Sequence, residues 1–283
     1  MELQLLYKDI QSKLKNQTIE FADQEARYII LHVIKQPDDI FIRQPDYKIS
    51  REHLESIEQI VDERLAGKPL SKIIGEKEFW GLAFKTSEAT LDPRPDTEVL
   101  VQAVLDCVAH DQEIILLDLG TGTGCILISL LKELPLAKGV AIDISQKALE
   151  IASKNADVHG VSDRFEAIQG DWLEGIDLSN VDYIVSNPPY IRDDVIPDLS
   201  PEVKNHDPIL SLSGGKNGLD AYEKIFSGLK KQKNFSGNIF LEIGFDQHEE
   251  LVRLVDESNL CLCDSIRDYG GHIRVVNISC GDK

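Results

Sequence analysis

In roughly the first 70 positions, apolar residues recur every three or four places, as on one face of a helix. Leu3, Leu6, Tyr7, Ile10 and Leu14 form the first such stripe. Glu20 to Lys35 predicts a second helix, with Ala22, Ala26, Ile29, Ile30 and Val33 on one side and Pro37 beyond its end. Ser50 is placed to cap a further helix carrying Leu54, Ile57, Val61 and Leu65, which Gly67 and Pro69 stop. No strand pattern interrupts these residues, so 1–75 reads as a small all-helical domain. Its stripes are core-forming faces, and the bundle is a candidate substrate-docking module.

Beyond it the pattern changes to short apolar runs, each closed by a polar or glycine-rich segment. Phe79 to Phe84, followed by Ala89 to Leu91, predicts a β-hairpin within a linker at 76–92. Pro93-Arg94-Pro95-Asp96-Thr97-Glu98 then opens a helix expected over Val99 to Ala109. This motif is a rigid helix entry, or a wall of a cofactor cleft. The remaining domain, 93–283, alternates strands with helices: Ile114 to Leu117, helix Ile126 to Leu134, strand Lys138 to Asp143, strand Phe165 to Gln169 and strand Tyr183 to Val185. After a polar stretch with three prolines and three glycines from Ile191 to Gly218 come a helix from Asp220, a strand from Gly237 and a helix from Gln247. Two last strands, Leu260 to Ile266 and His272 to Ile278, complete the pattern. The alternation is that of an α/β domain with a largely parallel sheet.

Four polar features close four consecutive strands, where open α/β sheets bind their ligands. The first is Gly120-Thr121-Gly122-Thr123-Gly124 after Asp118-Leu119, ahead of a helix. Three alternate glycines permit tight turns and close approach to a ligand, and the helix start supplies free N–H groups. Cys125 stands where a dinucleotide fingerprint expects Gly or Ala, which weakens a nicotinamide reading. The second is Asp143, at the tip of the next strand, placed to accept both ribose hydroxyls of an adenosine, while Ser145 can cap the helix that follows. The third is Gly170-Asp171-Trp172. Trp172 is either a cover for an adenine ring or a core aromatic, and Asp171 either an acceptor for the adenine amine or a loop acid.

The fourth feature, Asn187-Pro188-Pro189-Tyr190, is a strand-ending turn or a clamp for a planar –NH2 group. In the second reading the Asn187 amide oxygen and the Pro188 carbonyl accept the two N–H groups, and Tyr190 offers a flat face. Each proline fixes its own φ and removes a competing donor. Asn187, Pro188 and Tyr190 are therefore the candidate catalytic residues, and Asn187 to Tyr190 the substrate-binding set. An adenosine site with no required phosphate, facing such a clamp, points to S-adenosylmethionine and methyl transfer to nitrogen.

Composition narrows the partners. Residues 1–75 hold 11 basic and 13 acidic side chains, so nearly all of the formal net charge of −19 falls on the clamp-bearing remainder. A duplex-binding protein would normally carry a basic footprint, so no direct nucleic-acid binding is expected. The five cysteines have no framework spacing and the histidines fall in no motif, so reduced thiols and no metal site are expected. The chain start lacks signal-peptide features and no apolar run is long enough for a membrane span, so a cytoplasmic protein is expected.

Taken together, these motifs resemble the HemK/PrmC family of protein-glutamine N(5)-methyltransferases. The resemblance rests on Gly67-x-Pro69, Gly75-x-x-Glu78-Phe79-x-Gly81, Pro93-Arg94-Pro95-x-Thr97-Glu98, the glycine loop, Asn187-Pro188-Pro189-Tyr190-Ile191 and Arg267-Asp268-Tyr269-Gly270. It implies a class I, Rossmann-like methyltransferase fold of seven strands, mostly parallel with the last antiparallel, joined by a hairpin to the helical domain. It implies S-adenosyl-L-methionine as cofactor, with S-adenosyl-L-homocysteine as product, held by Gly120, Thr121, Gly122, Thr123, Gly124, Asp143, Trp172 and Asn187. The implied substrate is the glutamine of the Gly-Gly-Gln motif in class-one peptide chain release factors. Lys72, Asp96 and Asp207 depart from the residues usual in the family. The clamp alone fits two further activities: methylation of a ribosomal-protein glutamine, and of an adenine amine in DNA or RNA.

Overall fold

The computed structural model describes residues 1–232 and 234–280, and the chain divides into two compact units, Met1–Gly75 and Glu76–Lys283. The final three residues of the expected 93–283 domain lie outside the described ones.

The first unit contains helices α1 (Leu3–Asn16), α2 (Ala22–Ile34), α3 (Ile40–Arg43), α4 (Arg51–Leu65) and α5 (Leu70–Ile74). Its core is the one the apolar spacing predicts: Leu3, Leu6, Ile10 and Leu14 of α1 pack with Ala26, Ile29 and Ile30 of α2 and Ile57 and Val61 of α4. Burying each large aliphatic side chain contributes about 1.5–3 kcal/mol. The Ser50 hydroxyl accepts from the His53 N–H at 3.1 Å, so the expected cap of α4 is formed. One buried position breaks the pattern. Arg64 lies inside because its guanidinium pairs with Glu25 of α2 at 2.7 Å.

The second unit begins with an antiparallel hairpin, β1 (Glu76–Phe79) and β2 (Leu82–Lys85). Its turn residues Trp80 and Gly81 both have positive φ, 52° and 67°, as a two-residue turn matched to strand twist requires. Trp80 tolerates this because Glu98 accepts its backbone N–H at 2.7 Å and Glu133 its indole N–H at 2.9 Å. Residues 89–91 are not strand, since Ser87 and Thr90 bond each other in a turn. Helix α6 (Glu98–Leu105) follows a 3-10 turn at Pro95–Thr97 and ends short of the expected Ala109.

The main sheet contains β3 (Ile115–Leu119), β4 (Lys138–Asp143), β5 (Phe165–Gln169), β6 (Tyr183–Ser186), β7 (Asn238–Glu242), β8 (Cys261–Arg267) and β9 (Ile273–Ser279). Their order is β5-β4-β3-β6-β7-β9-β8, parallel except for β9, which runs antiparallel to both neighbours. The strands are interleaved with α7 (Cys125–Glu133), α8 (Gln146–Val158), α9 (Pro201–His206), α10 (Asp220–Leu229) and α11 (His248–Glu257).

Strand alternation feeds two cores. Leu116, Val185, Phe240 and Val275 face the layer of α6 and α7. Their neighbours Leu117, Ile184, Ile239 and Val276 face Tyr222, Ile225 and Phe226 of α10 and Leu251 and Val255 of α11. With both faces covered, the strands read as continuous apolar runs. The strand order reverses between β3 and β6, so the loops after these two strands open side by side.

Candidate active site

The glycine loop leaves β3 as predicted. Gly120, Gly122 and Gly124 all have positive φ, at 71°, 56° and 79°, which alternate glycines supply without strain. Gly120 N–H and Thr121 N–H both donate to Ile142 O of β4, at 2.8 and 3.0 Å. Inside the loop, the Thr121 hydroxyl donates to Asp118 Oδ2 at 2.6 Å. Asp118 is fully buried, its Oδ1 lacks a hydrogen-bond partner, and burial pushes the carboxyl up to about 7. Asn155 of α8 braces the loop from behind. It donates to Thr123 O at 2.9 Å and exchanges hydrogen bonds with the Lys85 backbone. Cys125 begins α7 as a buried thiol, pushed up to about 12 by burial.

Asp143 accepts the Gly122 N–H through Oδ2 and the Ser145 N–H through Oδ1, both at 2.9 Å. Burial raises its carboxyl, against those two N–H groups. Each oxygen keeps a further acceptor site for a ligand hydroxyl. Ser145, not Asp143, caps α8. Trp172, held at φ 53°, lies beside Gly120, where a β-carbon would sit 3.6 Å from its ring. Asp171 pairs with Lys224 at 3.5 Å, which is the loop-acid role. Gly122 has nothing within 4 Å of where a β-carbon would stand. An open glycine backbone, a carboxylate with spare lone pairs and a partly exposed indole suit an adenosine-bearing ligand.

The tetrapeptide follows β6. Asn187 Nδ2 donates to Thr97 Oγ1 at 3.1 Å, which turns the other end of the amide, Oδ1, away from Thr97. Among the described residues none donates to Asn187 Oδ1 or to the Pro188 carbonyl, so both acceptors of the expected clamp are available. The Tyr190 hydroxyl donates to Glu242 Oε1 at 3.4 Å, and Gln247 Nε2 donates to Tyr190 O at 3.0 Å.

A cavity of about 310 Å3 opens at this clamp, lined by Asn187, Pro188, Tyr190, Arg94, Leu212 and Glu242 among others. The segment after the clamp forms one wall through Leu199, Val203, Ser211 and Leu212. It is tied down by Ile191 N–H to Leu212 O at 2.9 Å and Gly214 N–H to Ile191 O at 2.8 Å.

The Pro-Arg-Pro motif proves to be a junction. Arg94 pairs with Asp207 at 2.7 Å, Asp96 with Arg274 at 3.1 Å, Thr97 holds Asn187, and Glu98 holds the hairpin turn. Its helix-entry geometry is real, but Arg94, Pro95 and Asp96 line the acceptor cavity. Asp207, where the family usually has Glu, still reaches the Arg94 guanidinium with its shorter side chain.

Sequence reasoning missed Glu242 as a site residue. It closes the apolar run Ile239-Phe240-Leu241, and an acid ending a buried strand is the same signal that singled out Asp143. Glu242 is 1% exposed with Oε2 lacking a formed hydrogen bond, and burial pushes it up to about 7. Thr97 and Arg274 pull it the other way.

A glycine loop, a strand-tip acid and an Asn-Pro-Pro-Tyr turn at the switch point of a seven-stranded sheet with one antiparallel strand define a class I, Rossmann-like methyltransferase domain. Residues 87–199 match the family described as "Methyltransferase small domain", and residues 6–75 match "PrmC N-terminal domain". The chain is 41% identical over 256 residues to the release factor glutamine methyltransferase of Agrobacterium fabrum, covering 89% of this chain and 88% of that one. It is 38% identical over 260 residues to the enzyme of the same name from Cereibacter sphaeroides, covering 92% and 91%. It also aligns at 35% identity with 56% of the bifunctional methyltransferase of Rickettsia felis. The chain belongs to the release factor glutamine methyltransferase family. Among solved structures, the catalytic domain of hMettl16 in complex with the MAT2A 3'UTR hairpin 6 shares the fold. That match has a TM-score of 0.58 at 18% identity and covers 72% of this chain and 77% of that one.

Proposed function

We propose that this protein transfers a methyl group from S-adenosylmethionine to the side-chain amide nitrogen of the glutamine in the Gly-Gly-Gln motif of class-one release factors. The observation that carries the reading is the pair of free acceptors, Asn187 Oδ1 and Pro188 O, beside a cavity large enough for a side chain. When bound, the cofactor supplies an electrophilic sulfonium methyl group: its S–CH3 bond breaks as N–CH3 forms, it departs as a neutral thioether, and the proton shed by the methylated nitrogen leaves to water. The open face at Gly122 and the Asp143 carboxylate would hold its adenosine, and Trp172 would cover it.

An amide nitrogen is a weak nucleophile because its lone pair is delocalised into its carbonyl. Asn187 Oδ1 and Pro188 O would each accept one of its N–H groups, which returns electron density to nitrogen and fixes the amide plane. Tyr190 would stack on that plane, itself held by Glu242. Fixing two reactants in line supplies much of the acceleration in such a step. The walls from 191–218 and Arg94 would exclude water and hold the flanking backbone. The helical unit of residues 1–75 would dock the protein substrate, and the reaction belongs to the cytoplasm, where translation terminates. Among the described residues no helix is long and apolar enough to cross a membrane.

The test incubates the protein with labelled S-adenosylmethionine and a class-one release factor, total ribosomal proteins or DNA. Mass spectrometry then locates the methyl group. The expected product is a release factor methylated on the Gly-Gly-Gln glutamine. Label only in a ribosomal protein would reassign the substrate, and label only in DNA would overturn the amide reading.

A further inference from the structure

We propose that the tip of the β8–β9 hairpin and the loop after β7 form an aromatic docking platform, Tyr269 with Phe245, for the basic protein surface that flanks the acceptor glutamine. The inference rests on the reading of the cavity as a glutamine site and extends it to how the glutamine is delivered.

The motif Arg267-Asp268-Tyr269-Gly270 contributes no residue to the lining of the cavity. It nevertheless rises from the same edge of the sheet. β7 and β8 both run antiparallel to β9, so they point the same way, and the turn after β8 stands at the carboxyl edge that also carries Asn187 and Glu242. The hairpin lies two to three strand positions beyond β6, about 10–15 Å from the clamp at about 4.8 Å per strand. Two contacts tie it to the acceptor side. Arg274 pairs with Asp268 at 3.0 Å and with Asp96, a cavity residue, at 3.1 Å. The His272 ring meets the Phe245 ring in a T-shaped contact at 5.9 Å, and Phe245 follows the cavity residue Glu242 by three positions.

Tyr269 is 100% exposed and Phe245 65% exposed. A single exposed apolar residue is ordinary, whereas two aromatics side by side at the rim of a cavity mark an interaction site. The turn that carries Tyr269 is pinned. Asp268 N–H donates to His272 O at 2.8 Å, His272 N–H donates to Asp268 Oδ1 at 2.9 Å, and Arg267 Nη1 donates to Gly271 O at 2.6 Å. The backbone is thus fixed around a side chain that its own chain leaves uncovered. An aromatic on a rigid turn gives up little conformational entropy when it is bound.

The occupant follows from charge and position. Nearly all of the formal net charge of −19 lies on this unit, and Asp193, Asp194 and Asp246 are exposed on the segments that border the cavity and the platform. That field favours a basic partner and opposes a nucleic acid. Lys and Arg side chains bind over aromatic faces, with the ring quadrupole meeting the cation. A glutamine side chain inside the cavity leaves its own backbone at the mouth. The surface over the platform therefore belongs to neighbouring residues of the partner protein, not to the glutamine.

The experiment compares kcat and KM on an intact release factor and on a peptide of about five residues centred on the glutamine, which reaches only about 7 Å to each side. The variants are Tyr269→Ala, Phe245→Ala and the double substitution. Val158→Ala, at an exposed apolar position on α8, is the control. Thermal unfolding and cofactor binding by calorimetry verify the fold. Each aromatic truncation should raise KM for the intact factor about 5–20-fold, the loss of one interface anchor. The kcat should hold within about threefold, because the lost contacts are the same in ground and transition states. The KM change on the peptide should be at least about fivefold smaller, since the peptide stops short of the platform. Val158→Ala should match wild type. Wild-type KM in the double variant, a fall in kcat in place of a rise in KM, or equal losses on both substrates overturns the proposal. So does an RNA oligonucleotide that binds wild type and is released by Tyr269→Ala. A wild-type enzyme that methylates glutamine in neither substrate overturns the functional reading itself, whatever the variants do.

Discussion

The two sides of the proposed reaction cleft are built by different means. The cofactor side is made of backbone: positive-φ glycines, a helix start and one strand-tip acid, drawn from 118–125 and 143. The acceptor side is made of side chains from four distant stretches, with Thr97, Asn187, Asp207 and Glu242 meeting only through the fold. A backbone site depends on local conformation and resists side-chain change except at its glycines. A side-chain site depends on relays, so a change at one residue alters the orientation of another.

The contrast is most exposed at Asn187. Replacing it with Ala should lower kcat by about 10²–10³-fold, the loss typical of one preorganised polar contact. The protein should stay folded and keep some cofactor binding, since the glycine loop and Asp143 are intact. Stopped turnover with cofactor binding equally lost would show that the two sides are not separable; near-wild-type turnover would remove the clamp.

On the opposite side, Gly124→Ala should act through stability. Its φ of 79° is strained for a side chain, and the new β-carbon would stand 2.9 Å from Ile128 Cδ1 and 3.1 Å from Ala152 Cβ. A loss of about 1–3 kcal/mol is expected by chemical denaturation. Cofactor affinity should weaken with it, while KM for the release factor should not change.

The smallest effect is expected at the wall of the cavity. Asp207→Asn removes the charge that holds Arg94 at 2.7 Å. KM for the release factor should rise up to roughly tenfold, with cofactor binding unchanged, as one partly exposed charge-assisted bond is weakened. A change in cofactor affinity there would mean that the walls of the two sites are coupled.

Much of this was legible before the fold was seen. The helical stripes of the first unit, the seven strands and the polar tips at Gly120, Asp143 and Asn187 follow from periodicity and from what glycine, proline and amides can do locally. The errors have local causes too. Residues 89–91 looked like strand from apolarity alone, but Ser87 and Thr90 satisfy each other in a turn. Arg64 belongs to no apolar stripe, yet Glu25 of another helix draws it inside.

The sequence by itself determined which atoms could do the chemistry: a glycine backbone that a ligand can approach, a carboxylate for hydroxyls, and an amide and a proline carbonyl for an –NH2 group. Those properties belong to single residues and their immediate neighbours. Only the tertiary structure decided which end of the Asn187 amide is tied down and which is left free, because that depends on Thr97, 90 residues away. Hydrogen-bond direction is set by the partner a group meets, and partners so far apart in the chain meet only when the sheet has formed.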